Sequence, residues 1–418
     1  MEIDHSLTDY MYNFIDKICK QFGPRYSCST QEKEANKWIK EEFTRYCDET
    51  YLDEFKTKPG LYPQGLIKVA GIFSAFSPIF IPLVFPLPIL TSIFIFMALF
   101  VLISELIMMK EWIDFLFKEK TSSNVSGIIK PTEEVKFRII VESHTDSAKE
   151  MNIASMNETL RYFIGVIGVV FLIFSIVFSI WKFIALIIVG NSMILFQWSI
   201  FTITFLDYIY FFSLIVLYPF FLLLVKGFLG KTVVMGANDN LAATAVAAGI
   251  GKYLRENRPK HVEVWIVSQG SEEVGDKGAR AFVEKYGEKG YLDNSYTLVL
   301  ECCGAADAML LVEKDMHRII YDKEMNRKLK SVYDELQSKD PNLLDLRIDK
   351  LKIGACDAVR YLENGYQATA LFGVEKNKNK AVNWHSVKDG PENIEKRVLE
   401  DFLKISLLFI QKVDGGFH

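Results

Sequence analysis

Between Lys68 and Glu105 the chain carries no charged side chain, and between Arg161 and Lys226 it carries only Lys182 and Asp207. A bilayer core about 30 Å thick needs about 20 consecutive apolar residues per helix, so each block is long enough to cross it more than once. Buried strands or helices of a soluble core are the competing reading, but such segments are punctuated by polar residues every few positions. Spanning helices are therefore expected, with the lipid bilayer as a partner. Composition agrees, because 50% hydrophobic residues and 32 phenylalanines exceed what a water-soluble domain normally carries. A net charge of -4 argues against nucleic acid as a partner. Met1 to Lys20 is too polar and acidic for a signal peptide. The six cysteines lack a Cys-x-x-Cys spacing, and a bridge between the neighbours Cys302 and Cys303 would be strained, so free thiols in a reducing compartment are expected.

The blocks interrupt an otherwise soluble pattern. Leu7, Met11, Phe14, Ile15 and Ile18 recur on one helical face, and Ser29-Thr30-Gln31-Glu32 is a capping-box start for a second helix. Pro86 and Pro88 mark a turn between two spans at about 67–84 and 89–108. Residues 1–65, 110–160 and 228–418 then read as pieces of one domain, with 66–109 and 161–227 as membrane insertions. Because pieces of one domain flank each insertion, each must cross an even number of times. The second is expected to span at about 162–181 and 205–226, about four spans in all. Trp181, Trp198, Tyr208 and Tyr210 are expected as an aromatic belt at the far interface, with Lys182 and Asp207 near it. Basic residues flank the spans on the domain side (Lys56, Lys58, Lys68, Lys110, Lys118, Lys120, Arg161, Lys226 and Lys231), which predicts a domain facing the cytoplasm.

From Gly236 onward, strand patterns at Val262–Ser268, Leu298–Glu301 and Thr369–Phe372 alternate with helical ones, which predicts an α/β sheet covered by helices on its faces. In such a sheet, ligand-binding side chains gather at the carboxyl ends of strands. His144 and Asp146 follow one predicted strand, Glu272 and Glu273 another, and Glu301 ends a third. Asp239 precedes an Ala-rich helix and His385 the last helix. Taken singly, each reads as an ordinary cap or loop residue. With six histidines in the whole chain, two at such positions with acidic groups between them are what a site for two divalent metals requires. Adjacent Glu272 and Glu273 suit a division of labour in which one binds metal and the other handles a proton.

The ordered set resembles the di-zinc peptidase family of aminopeptidase Y and glutamate carboxypeptidase II. It comprises the Gly23-Pro24-Arg25 turn, Asn124-Val125-Ser126-Gly127, His-x-Asp at His144, Gly-x-x-Asp-Asn at Gly236, Glu-Glu-x-Gly at Glu272 and Trp-His-Ser-x-x-Asp at Trp384. The resemblance implies a zinc-aminopeptidase-like mixed sheet sandwiched by helices and a centre of two zinc ions. Asp239 would bridge them, with His144 and Glu301 on one ion and Glu273 and His385 on the other. Glu272 would be general base and then acid, and Asp146 would orient His144. Position 301 is Glu where many members have Asp, which makes Asp307 a fallback ligand. The family normally joins the His-x-Asp and Gly-x-x-Asp-Asn motifs by a short loop, so the fold requires the second block to leave and return. The expected activity is that of a membrane-integrated exopeptidase, an aminopeptidase acting on short peptides. The alternatives are a non-enzymatic membrane scaffold, a carboxypeptidase and a single-zinc aminoacyl cyclase on the same fold.

Overall fold

The computed structural model describes residues 4–153, 156–351, 354–376 and 379–416. In chain order, helices α1 (His5–Phe22) and α2 (Thr30–Phe43) lead into strand β1 (Glu49–Thr57). The first apolar block contributes α3 (Gln64–Phe76) and α4 (Leu90–Leu102), followed by β2 (Lys120–Ile129) and β3 (Phe137–His144). The second contributes α5 (Glu158–Ile188), β4 (Ile194–Trp198), β5 (Phe201–Thr204) and α6 (Phe205–Gly227). The remainder alternates through α7 (Ala242–Glu256), β6 (Val262–Gln269), α8 (Lys277–Gly287), β7 (Ser295–Glu301), β8 (Ala308–Lys314), α9 (Lys323–Lys339), β9 (Leu346–Lys350), α10 (Ala358–Glu363), β10 (Ala368–Val374) and α11 (Lys396–Asp414). These elements form two compact units, one of Met1–Pro59, Lys118–Lys149 and Thr232–His418, the other of Gly60–Phe117 and Glu150–Lys231.

The first unit is built on an eight-stranded mixed sheet in the order β1-β2-β6-β3-β7-β10-β8-β9. Its central strand β3 lies parallel to both β6 and β7. Successive residues of a strand face opposite sides, and β3 shows this directly: Ile139 and Val141 join one core, and Ile140 the other. The larger core packs the sheet against α1, α2, α7, α9 and α11; the smaller packs it against α8 and α10. Burial on both faces explains the short apolar runs at the centres of β3 (139–141), β6 (264–267) and β7 (298–300). Helix α1 turns the expected face inward, with Leu7, Met11, Phe14, Ile15 and Ile18 buried. Ser29 caps α2 by accepting from the Glu32 amide at 3.1 Å. The Glu32 carboxylate, however, does not complete a capping box; it is fully buried and accepts from the amides of Cys28 and Ser271 and from the Ser122 hydroxyl.

Both insertions leave and rejoin this unit at paired backbone. Thr57 faces Lys120 across the β1–β2 ladder, and Lys149 forms an antiparallel bridge with Val233. The long excursion between His144 and Asp239 therefore does not disturb the sheet, as the short loop of the resembling family would not.

In the second unit, Leu87–Ile107, Thr159–Ile188 and Phe205–Gly227 are long and apolar enough to cross a membrane. A fourth apolar helix, Gln64–Phe80, is shorter. Its expected continuation to residue 84 fails because Pro78 turns its end into a 3-10 segment and cannot donate to the helix ladder. The stretch between α5 and α6 folds as the β4–β5 hairpin, with Leu195, Phe196, Trp198 and Ile200 exposed. Of the four aromatics expected in a belt, Trp181, Trp198 and Tyr208 are exposed, but Tyr210 is not. Its ring is fully buried, stacked on Phe174, and its hydroxyl donates to Ser175 Oγ at 3.0 Å. Lys182 and Asp207 are likewise interior. Lys182 Nζ lies 2.8 Å from both Asp207 oxygens and donates to the carbonyls of Ile81 and Thr202. With Ser92 Oγ donating to the Ile176 carbonyl, these bonds join the two insertions by polar contacts between their helices.

Candidate metal centre

The carboxyl ends of the parallel strands β3, β6 and β7 place their following residues at one edge of the sheet, where ligands gather in α/β folds. His144 is the last residue of β3 and Glu301 the last of β7. Glu272 and Glu273 stand in the loop after β6, Asp239 just before α7 and His385 before α11. Gly236 has φ +63, and a Cβ there would lie 2.6 Å from both the Asp239 carbonyl oxygen and Ser147 Cβ. Only glycine fits the turn that delivers Asp239.

All seven residues read from the sequence come together. His144 Nε2 is 3.4 Å from Asp239 Oδ1, 3.6 Å from Glu272 Oε2 and 3.7 Å from Glu301 Oε2. His385 Nε2 is 3.5 Å from Asp239 Oδ2 and 3.0 Å from Glu273 Oε2. Asp239 thus stands between the two imidazoles, with one oxygen toward each. Asp307, by contrast, is exposed and belongs to no metal-competent group among the described residues. The Asp146 carboxylate accepts from the amides of Glu272 at 3.0 Å and Glu273 at 3.2 Å, so it holds the Glu-Glu loop. His144 Nδ1 meets the Asp146 carbonyl oxygen at 3.1 Å, closer than the carboxylate at 3.7 Å.

Whether this donor set suits a cation can be judged from what it lacks. Asp239 Oδ2, Glu273 Oε1 and Glu301 Oε1 are buried and accept no hydrogen bond, a costly arrangement unless something positive meets them. Burial, then Glu273 and the other nearby carboxylates, pushes the Glu272 carboxyl well above the usual range. Burial also raises Glu301. Burial pulls the His144 imidazolium down, yet Asp239, Glu301 and Asp146 outweigh it and hold its pKa well above the ordinary value. Such a site, crowded with negative charge and with nitrogen and oxygen donors, fits zinc.

Three supporting groups had no role assigned from sequence. Asp389 accepts from the amides of Asn238 at 2.6 Å and Asp239 at 3.1 Å. Asn240 Nδ2 donates to the Leu300 carbonyl, and Asn240 Oδ1 accepts from the Cys302 amide, which links the bridging loop to the end of β7. Arg25, fully buried, donates to the carbonyls of Thr145, Gly23 and Gly236. Arg25, Asn240 and Asp389 all stand within the recognised motifs, so their position signalled importance. The identity of their partners needed the fold.

Residues 224–410 match the model of peptidase family M28. No curated protein matches the sequence. Among solved structures, the chain is similar to a zinc aminopeptidase from Bacillus subtilis, at 14% identity and TM-score 0.56 over 97% of this chain and 95% of that one. It is similar to a leucine aminopeptidase precursor from Bacteroides thetaiotaomicron, at 11% identity and TM-score 0.55 over 97% and 96%. A glutaminyl cyclase from the same organism, bound to N-acetylhistamine, shows 11% identity and TM-score 0.56 over 97% of both chains. At these identities the likeness concerns the fold.

Proposed function

We propose that this chain, whose residues 224–410 carry the peptidase family M28 pattern, is a membrane-integrated di-zinc exopeptidase that removes amino-terminal residues from short peptides. The observation that carries this reading is the set of buried carboxylate oxygens without donors, arranged around two imidazoles with Asp239 between them. His144 and Glu301 would hold one ion, Glu273 and His385 the other, and Asp239 both. Zinc there supplies Lewis acidity toward a carbonyl oxygen and a water molecule. Glu272 takes a proton from the water and returns it to the leaving amine. Asp146 keeps Glu272 aimed through the two loop amides.

The three long apolar helices and the shorter Gln64–Phe80 support membrane residence with four crossings. An even number is required because the sheet unit is rejoined after each insertion, and the basic flanks favour the cytoplasmic side. A single-zinc cyclase on the same fold is the second reading, favoured by the glutaminyl cyclase among the structural neighbours. A metal count on the purified full chain, with a panel of free, amino-blocked and glutamine-initiated peptides, separates the two. Two zinc ions and cleavage of free peptides alone support the aminopeptidase. One ion and ring closure of amino-terminal glutamine support the cyclase, and a metal-free, inert protein sinks both.

A further inference from the structure

Cys302 directly follows Glu301, and in a continuing strand its side chain would point to the opposite face of the sheet. The chain bends instead. Cys302 has φ +55, a conformation side chains seldom adopt, and its sulfur lies within 4.8 Å of donor atoms of both Asp239 and Glu301. The bend is held by Asn240, which accepts from the Cys302 amide at 3.0 Å and donates to the Leu300 carbonyl at 2.9 Å. The residue that follows the bridging aspartate therefore also sets the position of this thiol.

A buried cysteine alone would be ordinary packing. Here a carboxylate of the same group carries a separate signal: Glu301 Oε1 lacks a donor, in a residue only 3% exposed. Cys303 instead joins the larger apolar core, and Cys356 packs against the Tyr321 hydroxyl. Among the described residues, no cysteine other than Cys302 shares a metal-competent group.

We propose that Cys302 is a sulfur donor to the cation held by His144, Asp239 and Glu301. This rests on the di-zinc reading and makes the two halves of the centre unlike: nitrogen, oxygen and sulfur on one side, nitrogen and oxygen on the other. On binding, the S–H bond breaks, the proton leaves to solvent, and the sulfur lone pair forms the bond to the metal. A thiolate favours zinc over hard cations such as magnesium or manganese, so the His144 side is the more zinc-selective of the two.

The test is X-ray absorption at the zinc edge on the full-length, zinc-loaded protein, with zinc counted per chain on the same sample. A sulfur shell at about 2.3 Å, beside nitrogen and oxygen at about 2.0–2.2 Å, is expected. Cys302→Ser should remove that shell and Cys303→Ser should keep it. If Cys302→Ser does not fold, the wild-type spectrum still decides. Two zinc ions per chain with only nitrogen and oxygen neighbours overturns the proposal while leaving the di-zinc reading standing. Absence of bound zinc overturns both.

Discussion

Replacing Asp146 by alanine isolates what this carboxylate does for the metal centre. Its two oxygens accept from the Glu272 and Glu273 amides, and the residue is fully buried. Each amide left without an acceptor costs about 1–3 kcal/mol, so retaining the native loop would cost about 2–6 kcal/mol. The loop has a cheaper course. Ser271 stays pinned to Glu32 at 3.0 Å and the Glu272 carbonyl accepts from the Gly275 and Asp276 amides, so the expected relief is a local turn of the Glu272 and Glu273 amides toward water. The loss then falls on the site and not on the fold. Removing a group that orients metal ligands typically weakens metal binding 10–100-fold, which is about 1.4–2.8 kcal/mol. Asp146→Ala is expected to shift zinc retention by that factor, to lower kcat further because Glu272 loses its aim, and to move the unfolding midpoint little. Asp146→Asn keeps one acceptor and should lie between. Zinc titration against graded chelator, with kcat and thermal unfolding of the same samples, measures all three. Wild-type zinc affinity and turnover in Asp146→Ala would refute the assignment.

Glu272→Gln is expected to abolish hydrolysis while leaving zinc content near wild type, and Asp239→Ala to lose both; metal analysis beside a peptide assay distinguishes them. Cysteine labelling of intact and opened cells should place positions 118 and 231 on the same, cytoplasmic face, and labelling on opposite faces would remove the even-crossing topology. Lys182→Met should destabilise the detergent-solubilised chain by about 3–5 kcal/mol, because it leaves Asp207 buried without its cation, and Lys182→Met with Asp207→Leu should recover part of that loss. Burial pushes the Asp401 carboxyl up to about 6 from 3.8. The folded state therefore holds a proton between these values that the unfolded chain releases, and stability falls as pH rises through that window. Asp401→Asn should flatten the fall, read as the difference in unfolding midpoint between pH 4 and pH 6.5.

The residues that gather at the site were legible because their pattern is local: a His two residues before an Asp, or paired Glu after a strand, is visible without knowing the neighbours. The alternation after Gly236 was legible for the same reason, since β6, β7 and β10 are buried on both faces and carry short apolar runs. What escaped depends on contacts between distant segments. Strand β1 is an edge strand only partly buried, so Glu49–Thr57 shows no apolar run. The capping-box pattern at Ser29 described one bond correctly, but Glu32 answers to Ser122 and Ser271, far along the chain. Tyr210 looked like an interfacial tyrosine because nothing nearby in sequence announces Ser175 and Phe174 as its partners. Cys302 could not be read as facing the site, because a strand extrapolated from Leu298–Glu301 points it away.

The strand order carries a consequence for biosynthesis. Strands β2 and β3 are consecutive, yet they are not neighbours: β6 lies between them, and β7 covers the other side of β3. When residue 149 leaves the ribosome, the only sheet pairing available is β1 with β2. Strand β3, ending in His144, then has neither partner until the whole second insertion and α7 have been made. The open edge of β2 and both edges of β3 stay unpaired while α5 and α6 are made, a period in which unpaired strands invite aggregation. Metal loading comes later still, because His385 is translated after every strand of the sheet. On the di-zinc reading, the site is complete only once His385 has been made, and a truncated nascent product would remain unpaired at β3 and lack that ligand.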